Sequence, residues 1–129
     1  MDLACAFHFD NTGIMKSQNA VRALAALAHE GRLAAFRLLV KAGSNGLPAG
    51  QIADRLKMPP SSLSSNLMLL SHAGLVTSER DGRSIIYCAD FSAMQRLLAF
   101  LIEDCCDGAP DVCAPLAAVL SACSPGKRC

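Results

Sequence analysis

The chain has 129 residues, of which 52% are apolar and 18% are charged, and its formal net charge is +1. This length predicts a single domain, and so small a domain has too little interior to bury that many apolar side chains. The surplus predicts an interface between subunits, so we expect an obligate oligomer.

Neither end of the chain has the pattern of an exported or membrane-spanning protein. The segment MDLACAFHFD (1–10) has an early acidic residue and no basic region, unlike a signal peptide. The segment APLAAVLSAC (114–123) is about half the length that a membrane span needs. We therefore expect a cytoplasmic protein with no membrane partner, whose cysteines stay reduced. The odd count of seven cysteines also argues against a complete disulfide framework.

Two helices are predicted in the first third of the chain, after residues 1–15, which fit no predicted element. The first runs from about 16 to 28, where apolar residues recur at helical spacing at Val21, Leu24, Leu27 and Ala28. The second runs from about 31 to 42, and its apolar positions Leu33, Phe36, Leu39 and Val40 fall on one face. The sequence GSNG (43–46) ends it, because Gly and Asn tolerate the left-handed backbone that terminates helices.

A short third helix and a fourth helix follow, with only a tight turn between them. The third covers PAGQIADRLKM (48–58). The fourth begins at PPSS (59–62), since proline in the first helical turn loses no hydrogen bond, and it ends at Gly74. Its predicted inward face consists of Leu63, Leu67 and Leu70. Its predicted outward face consists of Ser61, Ser64, Ser65, Met68 and His72.

A hairpin and a long helix complete the predicted domain. Residues 75–80 and 84–88 are β-type runs on either side of Asp81-Gly82-Arg83, which is a strong hairpin signal. The long helix runs from about 91 to 104, and its apolar seam consists of Phe91, Met94, Leu98, Leu101 and Cys105. This spacing fits a core face as well as a coiled-coil seam, and the apolar surplus favours a dimer seam. A last short helix is predicted near 113–122.

Successive helices, a hairpin and a final helix, with a short turn between the third and fourth helices, predict a mainly α winged helix-turn-helix fold. Four segments resemble the ArsR/SmtB family of metal-responsive bacterial repressors: LAHEGRLAAFRLLVKAG (27–43), LPAGQIADRLKM (47–58), SSLSSNLMLLSHAGLV (61–76) and RDGRSIIY (80–87). The resemblance implies a homodimer that binds double-stranded operator DNA and releases it when a metal or metalloid binds. We accordingly predict a DNA-binding and dimerisation domain at 16–104, extended by residues 105–129.

Charge and side-chain type indicate which residues would face DNA. Residues 29–85 carry a net charge of +3 and residues 90–113 a net charge of −4, so the middle of the chain suits a polyanion. Candidate readers of base edges in the major groove are Ser61, Ser62, Ser64, Ser65 and Asn66. Arg80 and Arg83 at the hairpin tip suit phosphates or the minor groove. Alternatively, the serine face of the fourth helix and the hairpin turn are simply exposed to solvent and do not contact DNA.

The segment DCCDGAPDVC (104–113) concentrates three thiols, those of Cys105, Cys106 and Cys113. Soft thiolates select soft ions, and trivalent arsenic and antimony take three sulfur ligands, whereas structural zinc usually takes four ligands. The family's zinc and cadmium sites need His in the long helix or Cys in the third helix, and this chain has neither. The triplet resembles family members whose arsenite or antimonite site lies at the carboxyl end of the long helix.

The resemblance thus implies a repressor with trivalent arsenic or antimony as inducer and no organic cofactor. A redox disulfide switch, a site for zinc or another thiophilic metal, and simple packing stay open for the three cysteines. An enzyme is not expected, because the chain has no CxxC pair, phosphate loop or Ser/His/Asp arrangement. A thiol oxidoreductase is the alternative from a different class. Cys88 is interpreted as a small buried residue.

Overall fold

The computed structural model describes residues 16–102, and residues 1–15 and 103–129 lie outside this described part of the chain. The elements are α1 (Ser17–Leu27), α2 (Glu30–Ala42), β1 (Leu47–Pro48), α3 (Ala49–Leu56), α4 (Pro60–His72), β2 (Val76–Asp81), β3 (Ser84–Ala89) and α5 (Phe91–Ile102). One 3-10 turn, Gly43–Asn45, connects α2 to β1. This order confirms the predicted helical fold with a β-hairpin wing. The short helix predicted near 113–122 falls outside the described residues.

Hydrogen bonds and backbone geometry fix where the helices begin and end. At the start of α2, His29 Nδ1 accepts hydrogen bonds from the N–H groups of Gly31, at 3.1 Å, and Arg32, at 3.4 Å. Arg32 Nε also donates to the carbonyl oxygen of Ala26 at 2.6 Å, which ties α2 to the end of α1. Lys57 ends α3 in a left-handed conformation with φ 53°. The chain therefore turns from α3 into α4 within three residues.

The sheet has three antiparallel strands in the order β1-β3-β2. The predicted hairpin is confirmed, because β2 and β3 pair from Val76 with Ala89 to Asp81 with Ser84. Gly82 takes a φ of 62° in the turn, a conformation that glycine adopts at little cost. The pairing of β1 with β3 was not predicted, because a two-residue strand is too short to show alternation.

Alanines of α1 and leucines of the other helices form the core of the described domain. The largest fully buried side chains are Leu39, Ile52, Leu63, Leu67, Leu70, Leu75 and Cys88. In α1 the buried residues are Ala20, Ala23 and Ala26. Of the apolar residues whose spacing predicted this helix, Val21 is 65% exposed and Leu24 is 42% exposed. Small alanines let α1 approach its neighbours closely, which leaves the larger side chains outside.

The apolar residues of α5 are also divided between a buried set and an exposed set. Ala93 and Leu97 are its buried residues, and Phe91 and Met94 pack against the core while partly buried. Leu101, also part of the predicted seam, is half exposed, and Cys105 lies outside the described residues. Within residues 16–102, no helix has the length and apolar character that crossing a membrane requires.

Cys88 packs beneath the loop that joins α2 to β1. The residue is fully buried, and its Sγ lies 3.7 Å from the carbonyl oxygen of Ser44. The prediction that Cys88 is a small buried residue is therefore confirmed. A Cβ atom added to Gly46, in the same loop, would lie 2.5 Å from Cys88 Sγ and 2.5 Å from the Tyr87 carbonyl oxygen.

This close approach makes Gly46 a sensitive position. We predict that Gly46→Ala lowers the free energy of unfolding by about 3 kcal/mol, because strain at φ 66° adds to the steric overlap with β3. Gly43→Ala is the matched control, with a similar φ of 74° but open space around the added methyl group. That variant loses only about 1 kcal/mol. Urea unfolding followed by circular dichroism measures both, and equal losses would contradict the steric explanation.

Candidate nucleic-acid interface

The solvent face of α4 is uncharged. Among its 13 residues, PSSLSSNLMLLSH, none is Lys, Arg, Asp or Glu. The buried residues are Leu63, Asn66, Leu67 and Leu70. The exposed residues are Pro60, Ser61, Ser62, Ser64, Ser65, Met68, Leu69 and His72. Four of the five predicted base-reading residues are therefore exposed on one helix, and their role in DNA contact stays a prediction.

Asn66 is a correction to the predicted site. It is 8% exposed, and its Nδ2 donates to Met58 Sδ at 3.3 Å. It also lies against the first turn of α2, since a Cβ on Gly31 would be 3.0 Å from Asn66 Nδ2. The helical repeat explains this burial, because Asn66 stands three residues after Leu63 and four before Leu70, on the leucine face. Asn66 thus holds α4 against α2 and does not face solvent with the serines.

Met68 is the most exposed large apolar residue of α4. It is 53% exposed, and at about 100° per residue it falls about 20° from Ser61, about 40° from Ser64 and about 60° from Ser65 around the helix. His72, one turn later, continues the same line. The spacing predicts Met68 and His72 on the outward face of α4, but neither is among the predicted base-reading residues, all of which are polar. A large apolar side chain on an otherwise polar outward face is the sequence signal that marks Met68 as a candidate for contact with another molecule.

Basic residues lie next to this uncharged face. Arg55, in the last turn of α3, and Lys57, in the turn before α4, are both exposed. Because α3 packs directly against α4, their charges flank the beginning of the helix that carries the serines. Long cationic side chains in such a position suit the phosphate backbone of a nucleic acid.

The wing adds two further exposed cations, Arg80 and Arg83. In the β2–β3 register Arg80 is opposite Ile85, and Glu79 is opposite Ile86. Residues opposite each other share one face of a sheet and neighbours along a strand alternate. Arg80 therefore lies on the face that also carries buried Val76, whereas Glu79 lies on the other face. This alternation keeps the acidic side chains of the wing from neutralising Arg80 on its own face.

A second exposed surface is apolar and lies on α1 and α5. We use the name α1–α5 surface for Val21, Leu24, Leu98 and Leu101. Leu98 is half-buried and the other three are exposed. α1 and α5 pack against each other, so the surface belongs to two neighbouring helices. The predicted dimer seam on α5 thus has an apolar counterpart on α1.

The predicted thiol site lies outside the described part of the chain, where Cys105, Cys106 and Cys113 belong. Among residues 16–102, no group of three or more His, Cys, Asp or Glu side chains is placed to hold a metal ion. The three cysteines therefore stay a prediction from sequence.

Comparison with known proteins places this geometry among bacterial regulators. The helix-turn-helix domain family matches residues 27–79. YbzH of Bacillus subtilis, an uncharacterised HTH-type transcriptional regulator, is 41% identical over 56 residues, which cover 43% of this chain and 56% of YbzH. The match thus spans little more than half of that relative. The transcriptional activator HlyU of Vibrio cholerae is 29% identical over 85 residues, covering 66% of this chain and 76% of HlyU.

Solved structures agree with the sequence matches. Reduced HlyU of Vibrio cholerae has a TM-score of 0.53 at 33% identity, covering 66% of this chain and 90% of the HlyU chain. The homodimeric winged helix-turn-helix DNA-binding domain of Mb0332 from Mycobacterium bovis, a possible ArsR-family regulator, has a TM-score of 0.55 at 27% identity. That comparison covers 67% of this chain and 80% of the Mb0332 domain.

The exposed arginine at the wing tip gives a test of the interface. We predict that Arg83→Ala weakens binding to all DNA sequences alike and lowers the slope of log affinity against log salt by about 1 per subunit, as loss of one phosphate contact does. Arg37→Ala is the control, because Arg37 is exposed on α2, outside the α3–α4 pair and the wing. Fluorescence anisotropy across a salt series measures both slopes. Equal slopes for Arg83→Ala and the unmodified protein would exclude this contact.

Proposed function

Because the chain belongs to the ArsR-like family of winged helix-turn-helix transcriptional regulators, we propose that it is a homodimeric repressor whose operator is released by trivalent arsenic or antimony. The observation that carries the DNA-binding part is the exposed, uncharged face of α4, with exposed cations on the elements that pack against α4, Arg55 and Lys57 at the end of α3 and Arg80 and Arg83 on the wing. A helix of this width enters the major groove, where small serines allow close approach and hydroxyl groups meet base edges. Arg55, Lys57, Arg80 and Arg83 supply attraction to phosphates around it.

A dimer gives this arrangement its operator specificity. Two recognition helices held by one two-fold axis read two half-sites, and their separation is set by the dimer interface. The α1–α5 surface is apolar and exposed in the single chain, and burial of such a surface is the main driving force for association. The homodimeric state of Mb0332, a winged-helix domain of similar structure, supports the same assembly here.

The inducer part of the proposal rests on thiol chemistry and position in the chain. Cys105 and Cys106 follow the described end of α5, at Ile102, by three and four residues. Three soft thiolates match the ligand number of trivalent arsenic and antimony. Since α5 contributes Leu98 and Leu101 to the α1–α5 surface, a ligand bound by the following residues would act on the element that spaces the two recognition helices. Repression and its relief would then be linked through the dimer.

A redox switch at the same three cysteines is the second candidate. The closeness of Cys105, Cys106 and Cys113 in the sequence favours it, because a two-electron oxidant would join two neighbouring thiols in a disulfide with loss of two protons. The metalloid proposal takes precedence because the segment holds three thiols, which match the ligand number of trivalent arsenic and antimony, whereas a disulfide needs only two.

The dimer proposal predicts the effect of a charge on the α1–α5 surface. Leu24→Glu should convert the dimer to monomers at micromolar concentration, because burial of a carboxylate at an apolar interface is unfavourable. Ile85→Glu is the control, since Ile85 is 44% exposed on the wing and Leu24 is 42% exposed on α1. Sedimentation velocity distinguishes the two variants. A monomeric unmodified protein, or a dimeric Leu24→Glu variant, would contradict the assignment of this surface.

The inducer proposal predicts the effect of removing one thiol. Cys106→Ser and Cys113→Ser should bind DNA normally but lose release by arsenite or antimonite, because a hydroxyl group is a poor ligand for a soft ion. Cys123→Ser is the control and should release DNA like the unmodified protein. Couplings of this kind typically change affinity by about 5–150-fold, which fluorescence anisotropy resolves readily.

Each outcome of this titration separates the alternatives. If both variants still release DNA at the metalloid concentrations that act on the unmodified protein, the three cysteines are not the inducer site. Release by zinc but by neither metalloid would replace the metalloid and keep the repressor. Release by an oxidant alone, reversed by a thiol reductant, would establish the redox switch. Multiple turnovers with a thiol reductant and no specific DNA binding would favour the oxidoreductase.

A further inference from the structure

We propose that Met68 is the residue of α4 that determines sequence specificity, by contacting the 5-methyl groups of thymines in the operator. The inference rests on the proposed function and goes further, because it names the chemical group that is recognised. It starts from an unusual feature of the helix: its most exposed large side chain is a methionine, which is not required by the core.

Packing of the hydrophobic core does not explain why a methionine stands at position 68. The inward face of α4 is complete with Leu63, Leu67 and Leu70, each at most 1% exposed, and with Asn66. Met68 is absent from the buried cluster and from the partly buried side chains packed against it. An exposed thioether contributes little to the stability of the single chain, so its placement points to contact with something outside that chain.

The surrounding side chains make Met68 the most prominent group on this face. Ser64 and Ser65 precede it by one helical turn, and Ser61 precedes them by another. A serine side chain ends two bonds from Cα, whereas the terminal methyl group of methionine lies four bonds from Cα. When the small serines let the backbone of α4 come close to the floor of the groove, the side chain of Met68 therefore extends furthest toward the bases. Its unbranched chain can adapt to the shape that it meets.

The chemistry of the remaining side chains limits what α4 can read. With no Lys or Arg on α4, the helix cannot make the bidentate contact to guanine that those residues provide. With Asn66 buried, it also lacks an amide for adenine. Serine hydroxyls donate or accept, and so discriminate weakly between bases. The thymine methyl is the apolar feature of unmodified DNA in the major groove, and an apolar Met68 is complementary to it.

The size of the effect follows from the burial of one methyl group. Removing a buried methyl group costs about fourfold in affinity. A two-fold symmetric dimer presents Met68 twice, so loss of the methyl group in both half-sites costs about 15-fold. Both changes are within the range of an equilibrium titration.

Deoxyuridine gives a direct test, because it differs from thymidine only by lacking the 5-methyl group. DNA duplexes would first be selected by the unmodified protein from a random-sequence pool, and each thymine of the selected duplex would then be replaced by deoxyuridine. We expect one replacement per half-site to weaken binding about fourfold, and its symmetric pair about 15-fold. Met68→Ala should bind the thymine and uracil duplexes equally, whereas Met68→Leu should retain most of the difference.

Leu69→Ala is the matched control, because Leu69 is apolar, 42% exposed and next to Met68, but about 100° away around the helix. It should keep the preference for thymine. If Met68→Ala keeps that preference, or if no thymine of a selected duplex responds, the inference is wrong while the DNA-binding function stands. If selection enriches no sequence, specific DNA binding itself fails. Circular dichroism of each variant confirms that a lost preference is not lost folding.

Discussion

The orientation of α4 depends on the burial of three leucines. Leu63, Leu67 and Leu70 recur every three or four residues and are almost completely removed from solvent. Any rotation of the helix about its axis would expose part of this face and lose hydrophobic stabilisation of about 25 cal/mol for each Å² uncovered. Asn66 adds a directional contact to Met58 on the same side. The serines and Met68 are outward as a consequence of this packing, so the core determines which side chains can meet DNA.

A second consequence of packing separates the inner and outer faces of α1. Its alanines fill the contact with the rest of the domain, because close helix packing leaves no room for larger side chains there. Val21 and Leu24 are consequently outside, on a helix that packs against α5. The sequence contains more apolar side chains than one small domain buries, and the structure shows where part of that surplus lies. In the proposed homodimer, this apolar surface would be buried between the two subunits.

The helix α5 contacts both α1 and the segment that joins α4 to β2. Asp90 accepts a hydrogen bond from the N–H of Ala93 at the start of the helix, and the N–H of Asp90 donates to the carbonyl oxygen of Leu75 at 2.8 Å. Leu75 lies between α4 and β2, so the beginning of α5 is attached where the recognition helix meets the wing. The other end of α5 leads toward the proposed thiol site. If the three cysteines bind the inducer as proposed, α5 is the element that joins their site to α4 and the wing.

The sequence by itself determined the helices, the hairpin and the inward face of α4, because these follow from local spacing and turn chemistry. The leucine repeat places Leu63, Leu67 and Leu70 inward, and Asp81-Gly82-Arg83 specifies a turn wherever the strands lie. Tertiary structure alone decided which of two apolar stripes on α1 is internal and that β1 joins the sheet, and it gave Asn66, already on the leucine side of α4 by its spacing, its contacts with Gly31 and Met58. Those outcomes depend on contacts between different elements of the fold. The spacing of residues within one helix does not show which side chains of other elements will pack against it.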